Sequence, residues 1–360
     1  MTIRVAINGL GRIGRQVFKI IHERYQDDLL VTHIGVSNPH ATETRALLLK
    51  YDSNYGAFDA NVEVKTDGGS NSIVVDGLET HVVGRNPYGP VPDWSRLGVE
   101  LVIEASGHFR GRSHLHLTGG ARRVIITAPD SKADLMVVVG INHNEYDPTC
   151  HRVVSSASCT TNGLAPVVQV LHAELGLREG LVSTIHAYTG SQPILDHVGK
   201  DPRRSRSAAT NIVPTTTGAA QAIAAILPEL EGKLNGCAYR VPIPTVSLAE
   251  LVACVERPTD VDTINAAFER AAEEPPLKGV LGYSSLPLVS SDFQGTSYSS
   301  VLDALSTMVL GNLVKVVSWY DNEWGYACRV AELAHHLVQQ GFYEGLEDAL
   351  DDEEGGVTAG

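Results

Sequence analysis

The 360-residue chain has few cysteines, few aromatic residues and no long apolar run. Five cysteines are scattered through it without a CxxC pair, which excludes a zinc ribbon and suggests no disulfide framework. No segment approaches the ~20 apolar residues that a membrane helix needs. Residues 3–8 already predict a strand, so we expect no signal peptide. The lack of a long apolar run argues against a membrane partner, and the scattered cysteines indicate a reducing, cytoplasmic location. The cysteines are Cys150, Cys159, Cys237, Cys254 and Cys328.

Positive charge is also scarce. The net charge of −14, half of it carried by seven acidic residues between 344 and 354, argues against nucleic acid as a partner. The basic cluster at 203–206 indicates either a solvated loop or a local anion site, because it lacks the interleaved aromatic residues of nucleic-acid surfaces. The acidic, glycine-containing segment 341–360 predicts a mobile tail.

The order of predicted elements indicates two domains. Residues 1–158 alternate short apolar strands with helices, which predicts a Rossmann-type α/β domain with a parallel sheet. Residues 159–322 contain longer, alternating strands and predict an α+β catalytic domain with a mainly antiparallel sheet. The amphipathic segment 323–340 predicts a helix that completes the first domain. The predicted strands are 3–8, 29–37, 101–105, 123–127, 136–140, 152–156, 180–188, 235–241, 247–256 and 313–320, and the predicted helices are 14–24, 164–175, 217–227, 261–274 and 323–340.

A glycine motif follows the first predicted strand. Gly9, Gly11 and Gly14 have GxGxxG spacing between a strand and a helix, which suits a dinucleotide pyrophosphate at the helix N-terminus. The alternative is a purely structural turn. The second strand ends at Ser37 and Asn38 rather than at the acidic residue that usually bonds the adenosine ribose. With no carboxylate to repel a 2′-phosphate, NADP is a candidate cofactor beside NAD, or Asn38 bonds the ribose and tolerates both.

The stretch SSASCTTNG at 155–163 places a cysteine among hydroxyl residues. Such residues open helices, so Cys159 is predicted at a strand-to-helix turn, where free N–H groups and the helix dipole favour a thiolate. Pro166 then fits the first turn or marks a kink. The alternative is a small core residue, the usual role of a lone cysteine.

Seven segments together resemble phosphorylating glyceraldehyde-3-phosphate dehydrogenase over residues 2–340. In chain order they are AINGLGRIGR, KYDS, SASCTTN, STIHAYT, PTTTGAA, RVPIPTVS and WYDNEWGY. The resemblance implies a dinucleotide-binding domain, an antiparallel catalytic domain and a homotetramer. It also implies the phosphorylating oxidation of D-glyceraldehyde 3-phosphate to 1,3-bisphosphoglycerate, with hydride transfer to NAD or NADP.

The resemblance assigns roles residue by residue. It implies that Cys159 is the nucleophile, through a thiohemiacetal and a thioester, and that His186 is its base, although a lone histidine on a strand is more often a core residue. The implied cofactor-binding residues are Gly9, Gly11, Arg12, Ile13, Gly14, Asn38, Thr127, Asn322 and Tyr326. The residues implied for substrate and inorganic phosphate are Ser158, Thr160, Thr189, Arg204, Thr217, Gly218 and Arg240. No metal is expected, because the pairs His114/His116, taken as a strand, and His335/His336 lack a third ligand.

Three departures from the family pattern matter. Gly163 replaces a usual second cysteine, so oxidation of Cys159 would give a sulfenic acid or a mixed disulfide. Asn38 replaces the acidic ribose partner. His197 and Val198 replace Leu-Pro in a loop that reaches a neighbouring adenosine, as in members that accept NADP. Two alternatives stay open: erythrose-4-phosphate dehydrogenase, which departs from the HAYT and PTTTG segments, and a non-catalytic binding protein on the same scaffold.

Overall fold

The computed structural model describes residues 2–67, 70–86 and 88–346, which form two compact units. Of the described residues, the first unit contains those within 2–137, 143–156 and 330–346, and the second contains Val138–Asn142 and Ala157–Arg329. The predicted domain limits 1–158, 159–322 and 323–340 stay predictions. Most of the predicted tail, residues 347–360, lies outside the described residues.

Short apolar strands build the first unit. Its strands are β1 (Ile3–Asn8), β2 (Leu29–Val36), β3 (Tyr51–Asp52), β4 (Gly56–Ala57), β5 (Val62–Asp67), β6 (Ser70–Val75), β7 (Leu78–Gly84), β8 (Leu101–Glu104), β9 (Arg123–Ile126), β10 (Leu135–Met136) and β11 (Val153–Ser155), and its helices are α1 (Arg12–Arg24), α2 (Thr42–Lys50) and α3 (Leu115–Thr118). Within the described residues, one sheet has the order β10-β11-β9-β8-β1-β2-β7-β6-β5, and only the β7/β6 and β6/β5 pairs are antiparallel. The strands β8 and β9 are buried at every position, as expected of a parallel sheet covered on both faces.

The strand order reverses between β1 and β8. The chain leaves β1 toward β2 and β7 on one side and resumes with β8 on the other side of β1. Ligands of open α/β sheets bind outside the carboxyl ends of the strands at such a reversal. The glycine motif lies at this point, between β1 and α1. The placement of His116 on a strand is wrong, because it lies in α3, and no described group of three acidic, cysteine or histidine residues could hold a metal.

Longer strands build the second unit. They are β12 (Leu177–Ala187), β13 (Val213–Thr216), β14 (Leu234–Val241), β15 (Ser247–Val255), β16 (Leu281–Ser284), β17 (Ser300–Asp303), β18 (Met308–Leu310) and β19 (Leu313–Tyr320), with helices α4 (Cys159–Leu175), α5 (Ala219–Ile226) and α6 (Val261–Glu273). The sheet runs β13-β14-β12-β15-β19-β17-β16, with β18 on β19, and is antiparallel except at β12/β14 and β16/β17. The predicted fold class is confirmed. A last helix, α7 (Trp324–Gln339), is divided between the two units.

The helix α4 packs on the central strands of the second sheet. It contacts β12, β15 and β19 and is buried along most of its length. The strand β15 alternates buried and half-buried residues, as expected when one face of a sheet meets such a cover. Pro166 is the eighth residue of α4, so the first-turn alternative predicted for it is wrong, and the alternative of a kink stays a prediction. In the described parts of the chain, no helix has the length and apolar character to cross a bilayer.

Candidate active site

Cys159 is the first residue of α4, as the local pattern predicts. Ser158 caps the helix, since its Oγ accepts a hydrogen bond of 3.1 Å from the backbone N–H of Thr161. Ala157 has a φ of +55°, a left-handed conformation that is costly outside glycine. The hydroxyl of Tyr326 donates to the Ala157 carbonyl at 3.1 Å and helps to hold this backbone. The chain before the cysteine is therefore held in a strained shape.

His186 faces the cysteine from the end of β12. Its Nε2 lies 3.5 Å from the Cys159 Sγ, and the residue is 3% exposed. On the other side, Nδ1 lies 2.6 Å from the carbonyl oxygen of Ala187, and Arg240 Nη1 lies 2.9 Å from the same oxygen. The carbonyl only accepts, which favours a proton on Nδ1, whereas Arg240 Nη1 only donates and lies 2.8 Å from Nδ1, which favours a lone pair there. In the tautomer with the proton on Nδ1, Nε2 faces the thiol as an acceptor.

The two groups form a neutral pair at rest. Burial, and after it the positive charge of Arg240, lowers the pKa of His186 to about 3. Burial raises the pKa of the Cys159 thiol, while the charge of Arg240 and hydrogen bonds from Thr160 oppose that rise. A proton can move from Sγ to Nε2 without changing the net charge of the pair, which suits nucleophilic attack on a bound substrate.

Tyr320 joins the two elements that carry the pair. Its hydroxyl lies 3.1 Å from Thr160 Oγ1, in α4, and 2.8 Å from Thr184 Oγ1, in β12. Its ring stands edge-on to His186 at 5.9 Å between centroids, and burial raises its pKa, so the hydroxyl stays neutral. A Cβ at Gly163 would lie 2.9 Å from the Tyr320 ring, so the glycine leaves room for it.

The sequence reasoning missed Tyr320 and Thr184, although both lie in the quoted motifs. Thr184 could have been found from its position two residues before His186, which places both side chains on the same face of the strand.

Two arginines converge on the pair. Arg240 is directly opposite His186 in the β12/β14 register, and its Nε is buried without a hydrogen-bond partner. Arg204 donates from Nε to Thr215 Oγ1 at 2.7 Å, and its positive charge contributes to the low pKa of His186. A buried donor without a partner is costly, and guanidinium groups favour anionic oxygens. The site therefore suits a substrate that carries a phosphate.

The other predicted anion-binding residues lie in the same unit but are less directly linked. Thr189 follows β12, and its Oγ1 lies 2.9 Å from Ser191 Oγ. Thr217 Oγ1 accepts from the backbone N–H of Ala219 at 3.2 Å, and Gly218 precedes α5. Within the described residues, Thr189, Thr217 and Gly218 make no hydrogen bond to the Cys159–His186 pair.

Asn322 is connected to the strand of His186 through Ser247. The Ser247 hydroxyl donates to Asn322 Oδ1 at 2.9 Å and accepts from the backbone N–H of Ala187 at 3.1 Å. Val246, just before it, has a φ of +65°, a strained conformation for a β-branched residue. Because Oδ1 is engaged, the amino group of Asn322 is the part that can meet a ligand amide.

The glycine motif of the first unit is closed on one side and open on the other. A Cβ at Gly9, whose φ is +111°, would lie 2.6 Å from the Ser106 Cα, and one at Gly14 would lie 2.0 Å from the Gly9 carbonyl oxygen. At Gly11 a Cβ would meet no atom within 4 Å, and no side chain caps α1 there. The first turn of a helix and an unobstructed approach fit a pyrophosphate.

Arg12 is held beside this turn by a residue the sequence reasoning missed. Its Nη1 and Nη2 donate to the two carboxylate oxygens of Asp52 at 2.6 and 3.0 Å. Burial alone would raise the pKa of Asp52, but the hydrogen bonds from Arg12 and from the backbone lower it. Asp52 stands in the quoted KYDS motif, which was its available signal. Ile13 is half-buried beside Arg12, and Thr127 Oγ1 donates to the Glu104 carbonyl at 3.0 Å.

Donors border the end of β2. Asn38 is exposed, and its Oδ1 accepts from the backbone N–H of His40 at 3.0 Å, which leaves its amino group for other partners. Arg85 follows β7, and its backbone N–H donates to the Val36 carbonyl at 2.7 Å. The Nε and Nη1 of Arg85 are buried without partners. Arg85 was missed, and its signal was a basic residue directly after the strand beside β2.

Comparisons with known proteins agree with this arrangement. Two family models match the chain: the glyceraldehyde 3-phosphate dehydrogenase NAD binding domain over residues 3–112, and the C-terminal domain of the same family over residues 158–322. A glyceraldehyde-3-phosphate dehydrogenase of Geobacillus stearothermophilus is 49% identical over 345 residues, 95% of this chain and 100% of that protein. Similar proteins with that name from Bacillus cereus and Streptomyces coelicolor are 48% and 46% identical, each over 94% of this chain and 99% and 100% of their own lengths.

Proposed function

The chain belongs to the glyceraldehyde-3-phosphate dehydrogenase family, and on that premise we propose that Cys159 is its nucleophile and His186 its general base. The activity is the phosphorylating oxidation of glyceraldehyde 3-phosphate with a nicotinamide cofactor. One observation carries the assignment of roles: the 3.5 Å contact between Sγ and Nε2 at the start of α4, beside the unpartnered Nε of Arg240.

The pair accounts for each proton in the reaction. Sγ attacks the aldehyde carbon, its proton passes to Nε2, and the alkoxide takes that proton to give a thiohemiacetal. NAD, when bound, supplies the acceptor for the hydride that leaves this carbon. His186 takes the hydroxyl proton as the carbonyl reforms, which gives a thioester. Inorganic phosphate then attacks the thioester, the C–S bond breaks and the acyl phosphate is released. The Cys159 thiolate takes back the proton held by His186, which restores the neutral pair.

The anion-binding residues follow from the charges around the pair. We propose that Arg204, Arg240 and Thr189 line the catalytic anion pockets and bind the phosphate of the substrate. The unpartnered, buried Nε of Arg240 supports this, since an anionic oxygen would satisfy it. We assign Ser158, Thr160, Thr217 and Gly218 to the attacking phosphate. Support for this group is weaker, because the hydroxyls of Ser158, Thr160 and Thr217 already make hydrogen bonds within the protein.

The assignment of the cofactor follows the resemblance. We assign Gly9, Gly11, Arg12, Ile13 and Gly14 to the pyrophosphate, and Thr127, Asn322 and Tyr326 to the nicotinamide. We propose that NADP is accepted as well as NAD. The exposed amide of Asn38 and the unpartnered guanidinium nitrogens of Arg85 support this, because both offer donors to a 2′-phosphate.

We also propose a cytoplasmic homotetramer. Ile194, Leu195 and Val198 are 77%, 77% and 93% exposed, which is unusual for large apolar side chains and suits burial by a second copy. The loop with His197 and Val198 would reach the neighbouring adenosine. All five cysteines are free, as in a reducing compartment. Sedimentation analysis of the wild type and Leu195→Asp tests the assembly: we expect a tetramer for the first and smaller species for the second.

Initial rates test the activity and the roles together. Reduced-cofactor formation from glyceraldehyde 3-phosphate is followed with NAD and with NADP, each with and without inorganic phosphate. We expect phosphate-dependent turnover with both cofactors. Cys159→Ser should lose it, while the matched control Cys254→Ser, a half-buried cysteine in β15, should keep it. Full turnover in Cys159→Ser would end the assignment. No described feature of the site favours erythrose 4-phosphate or a binding role.

A further inference from the structure

A buried carboxylate at the strand reversal takes no part in the reaction described above. Glu104, the last residue of β8, is 2% exposed. Burial alone would raise its pKa, but hydrogen bonds from His116 and Ser106 outweigh this and hold the pKa below its usual value. The carboxylate is therefore ionised at neutral pH. A buried charge is expensive to keep unless several donors solvate it.

Four donors surround this carboxylate. Oε2 accepts from Asn8 Nδ2 at 2.5 Å and from His116 Nε2 at 3.0 Å. Oε1 accepts from the backbone N–H of Ser106 at 2.7 Å and from its hydroxyl at 2.5 Å. These four hydrogen bonds tie the carboxylate to three residues, so Glu104 fixes the orientation of the groups around it.

The direction of the histidine hydrogen bond is fixed by a tryptophan. Trp94 Nε1, which can only donate, lies 3.0 Å from His116 Nδ1. His116 therefore carries its proton on Nε2 and donates it to Glu104. Both Trp94 and His116 are 0% exposed, so water cannot replace either partner. The two hydrogen bonds therefore run in one direction: Trp94 donates to His116, and His116 donates to Glu104.

The groups held by Glu104 border the glycine motif. Asn8 immediately precedes Gly9, and the Ser106 backbone packs where a Gly9 Cβ would lie, with its Cα 2.6 Å and its N 2.7 Å from that position. The Ala105 N–H also donates to the Asn8 carbonyl at 2.9 Å. On its other side the Asn8 amide packs against Gly35, where no Cβ could fit. The carboxylate thus joins the end of β1 to the loop after β8.

We propose that Glu104 and His116 are positioning residues for the cofactor, which hold the Gly9–Gly11 turn and the loop at 105–107 in the shape that accepts a dinucleotide pyrophosphate. This rests on the proposed function, since it takes that turn as the pyrophosphate site. Replacing a whole buried ionic group by well-packed apolar residues is often neutral for stability, so stability alone does not account for a buried carboxylate at this place. The network therefore serves the geometry of the turn more than the stability of the unit.

The test compares two substitutions of His116. His116→Leu removes the donor to Glu104, whereas the amide nitrogen of His116→Gln can take the place of Nε2. We expect His116→Leu to raise the KM for NAD and the dissociation constant of ADP-ribose by about tenfold, the effect of losing one hydrogen bond to a buried charged group. At saturating NAD, kcat and the KM for glyceraldehyde 3-phosphate should stay within about twofold of wild type. His116→Gln should recover most of the NAD affinity.

Arg123→Met is the matched control. Arg123 is also 0% exposed and lies in the same sheet, but it holds four carbonyl oxygens at the amino end of β9. The Arg123→Met variant should have a lower melting temperature than the wild type and an unchanged KM for NAD. An unchanged NAD KM in His116→Leu, or an equal rise in Arg123→Met, would overturn the proposal.

If His116→Leu does not fold, Ser106→Ala removes a single donor and should raise the NAD KM several-fold; no rise there would overturn the proposal as well. Turnover of the wild-type enzyme is measured in the same series. A wild type that does not oxidise glyceraldehyde 3-phosphate counts against the proposed function, whereas an active wild type with unaffected variants counts only against the role of Glu104 and His116.

Discussion

If NADP is accepted beside NAD, as proposed above, Asn38→Asp should restrict the enzyme to NAD. Asn38 follows β2, is exposed, and caps the next turn by accepting a hydrogen bond from the His40 N–H. An aspartate oxygen can accept the same hydrogen bond, so the fold and its stability should be unchanged. The substitution therefore adds a negative charge and changes little else.

The size of the effect follows from the exposure of this position. Two unit charges about 4 Å apart repel by ~1 kcal/mol in water and by more near a protein surface. A phosphate carries roughly −1.5 to −2 charges at neutral pH, so the 2′-phosphate of NADP should be disfavoured by about 2 kcal/mol, a factor of roughly thirty. The carboxylate also accepts from the ribose hydroxyls of NAD, which should lower the NAD KM a few-fold.

The assay is kcat/KM for NAD and for NADP, measured side by side at low salt. We expect the NAD-to-NADP ratio to rise at least about thirtyfold in Asn38→Asp, and the rise to shrink at high ionic strength because the charges are exposed. Asn38→Ala is the control, since it removes the amide without adding charge and should change the ratio far less. A change under about threefold in Asn38→Asp would refute the placement of the 2′-phosphate beside this residue.

Three further predictions concern buried groups. His186 is neutral in the fold, with a pKa of about 3, but protonates near 6.5 once unfolded, so its contribution to stability is complete above pH 6.5 and is lost as the pH falls toward 3. Between pH 7 and 4.5, wild type should lose roughly 2–3 kcal/mol more than His186→Asn in urea unfolding, and equal losses would contradict this. Arg123→Met should lower the free energy of unfolding by about 3–5 kcal/mol, because four carbonyl oxygens lose their donor. A decrease below ~1 kcal/mol in urea unfolding would be inconsistent with those contacts. Tyr320→Phe should lower the free energy of unfolding by ~1–3 kcal/mol and kcat several-fold, because the hydroxyl that bridges Thr160 and Thr184 is lost. A variant with the melting temperature and turnover of the wild type would show that the bridge is dispensable.

Local order along the chain could be predicted where it depends on neighbouring residues. The strand, the hydroxyl residues and the helical spacing around Cys159 were enough to place it at the start of α4. The glycine motif was likewise predicted between a strand and a helix, where the structure has it. Pro166 was misplaced because the helix begins earlier than its apolar spacing indicates: the residues 159–163 are small and polar yet helical.

Partners across the fold could not be predicted in this way. Arg240 meets His186 because β14 pairs with β12 in parallel, an exception within a mainly antiparallel sheet that no residue pattern announced. Tyr320 stands 160 residues from Thr160, and the two meet only because β19 and α4 pack together. In the sequence, Glu104 is an acidic residue at the end of a strand, and only the sheet order shows that it lies beside Asn8.

The sequence by itself determined the class of fold, the positions of Cys159 at a helix start and of the glycine turn, and, through its resemblance, the family. These depend on hydrogen bonds and periodicities within a few neighbouring residues, which the order of amino acids states directly. Only the tertiary structure decided which groups surround His186, that Arg240 beside it keeps a buried Nε without a hydrogen-bond partner, and which donors surround the buried carboxylate of Glu104. Such properties depend on the distances and burial that arise when segments distant in the chain pack together, and no local pattern encodes those distances.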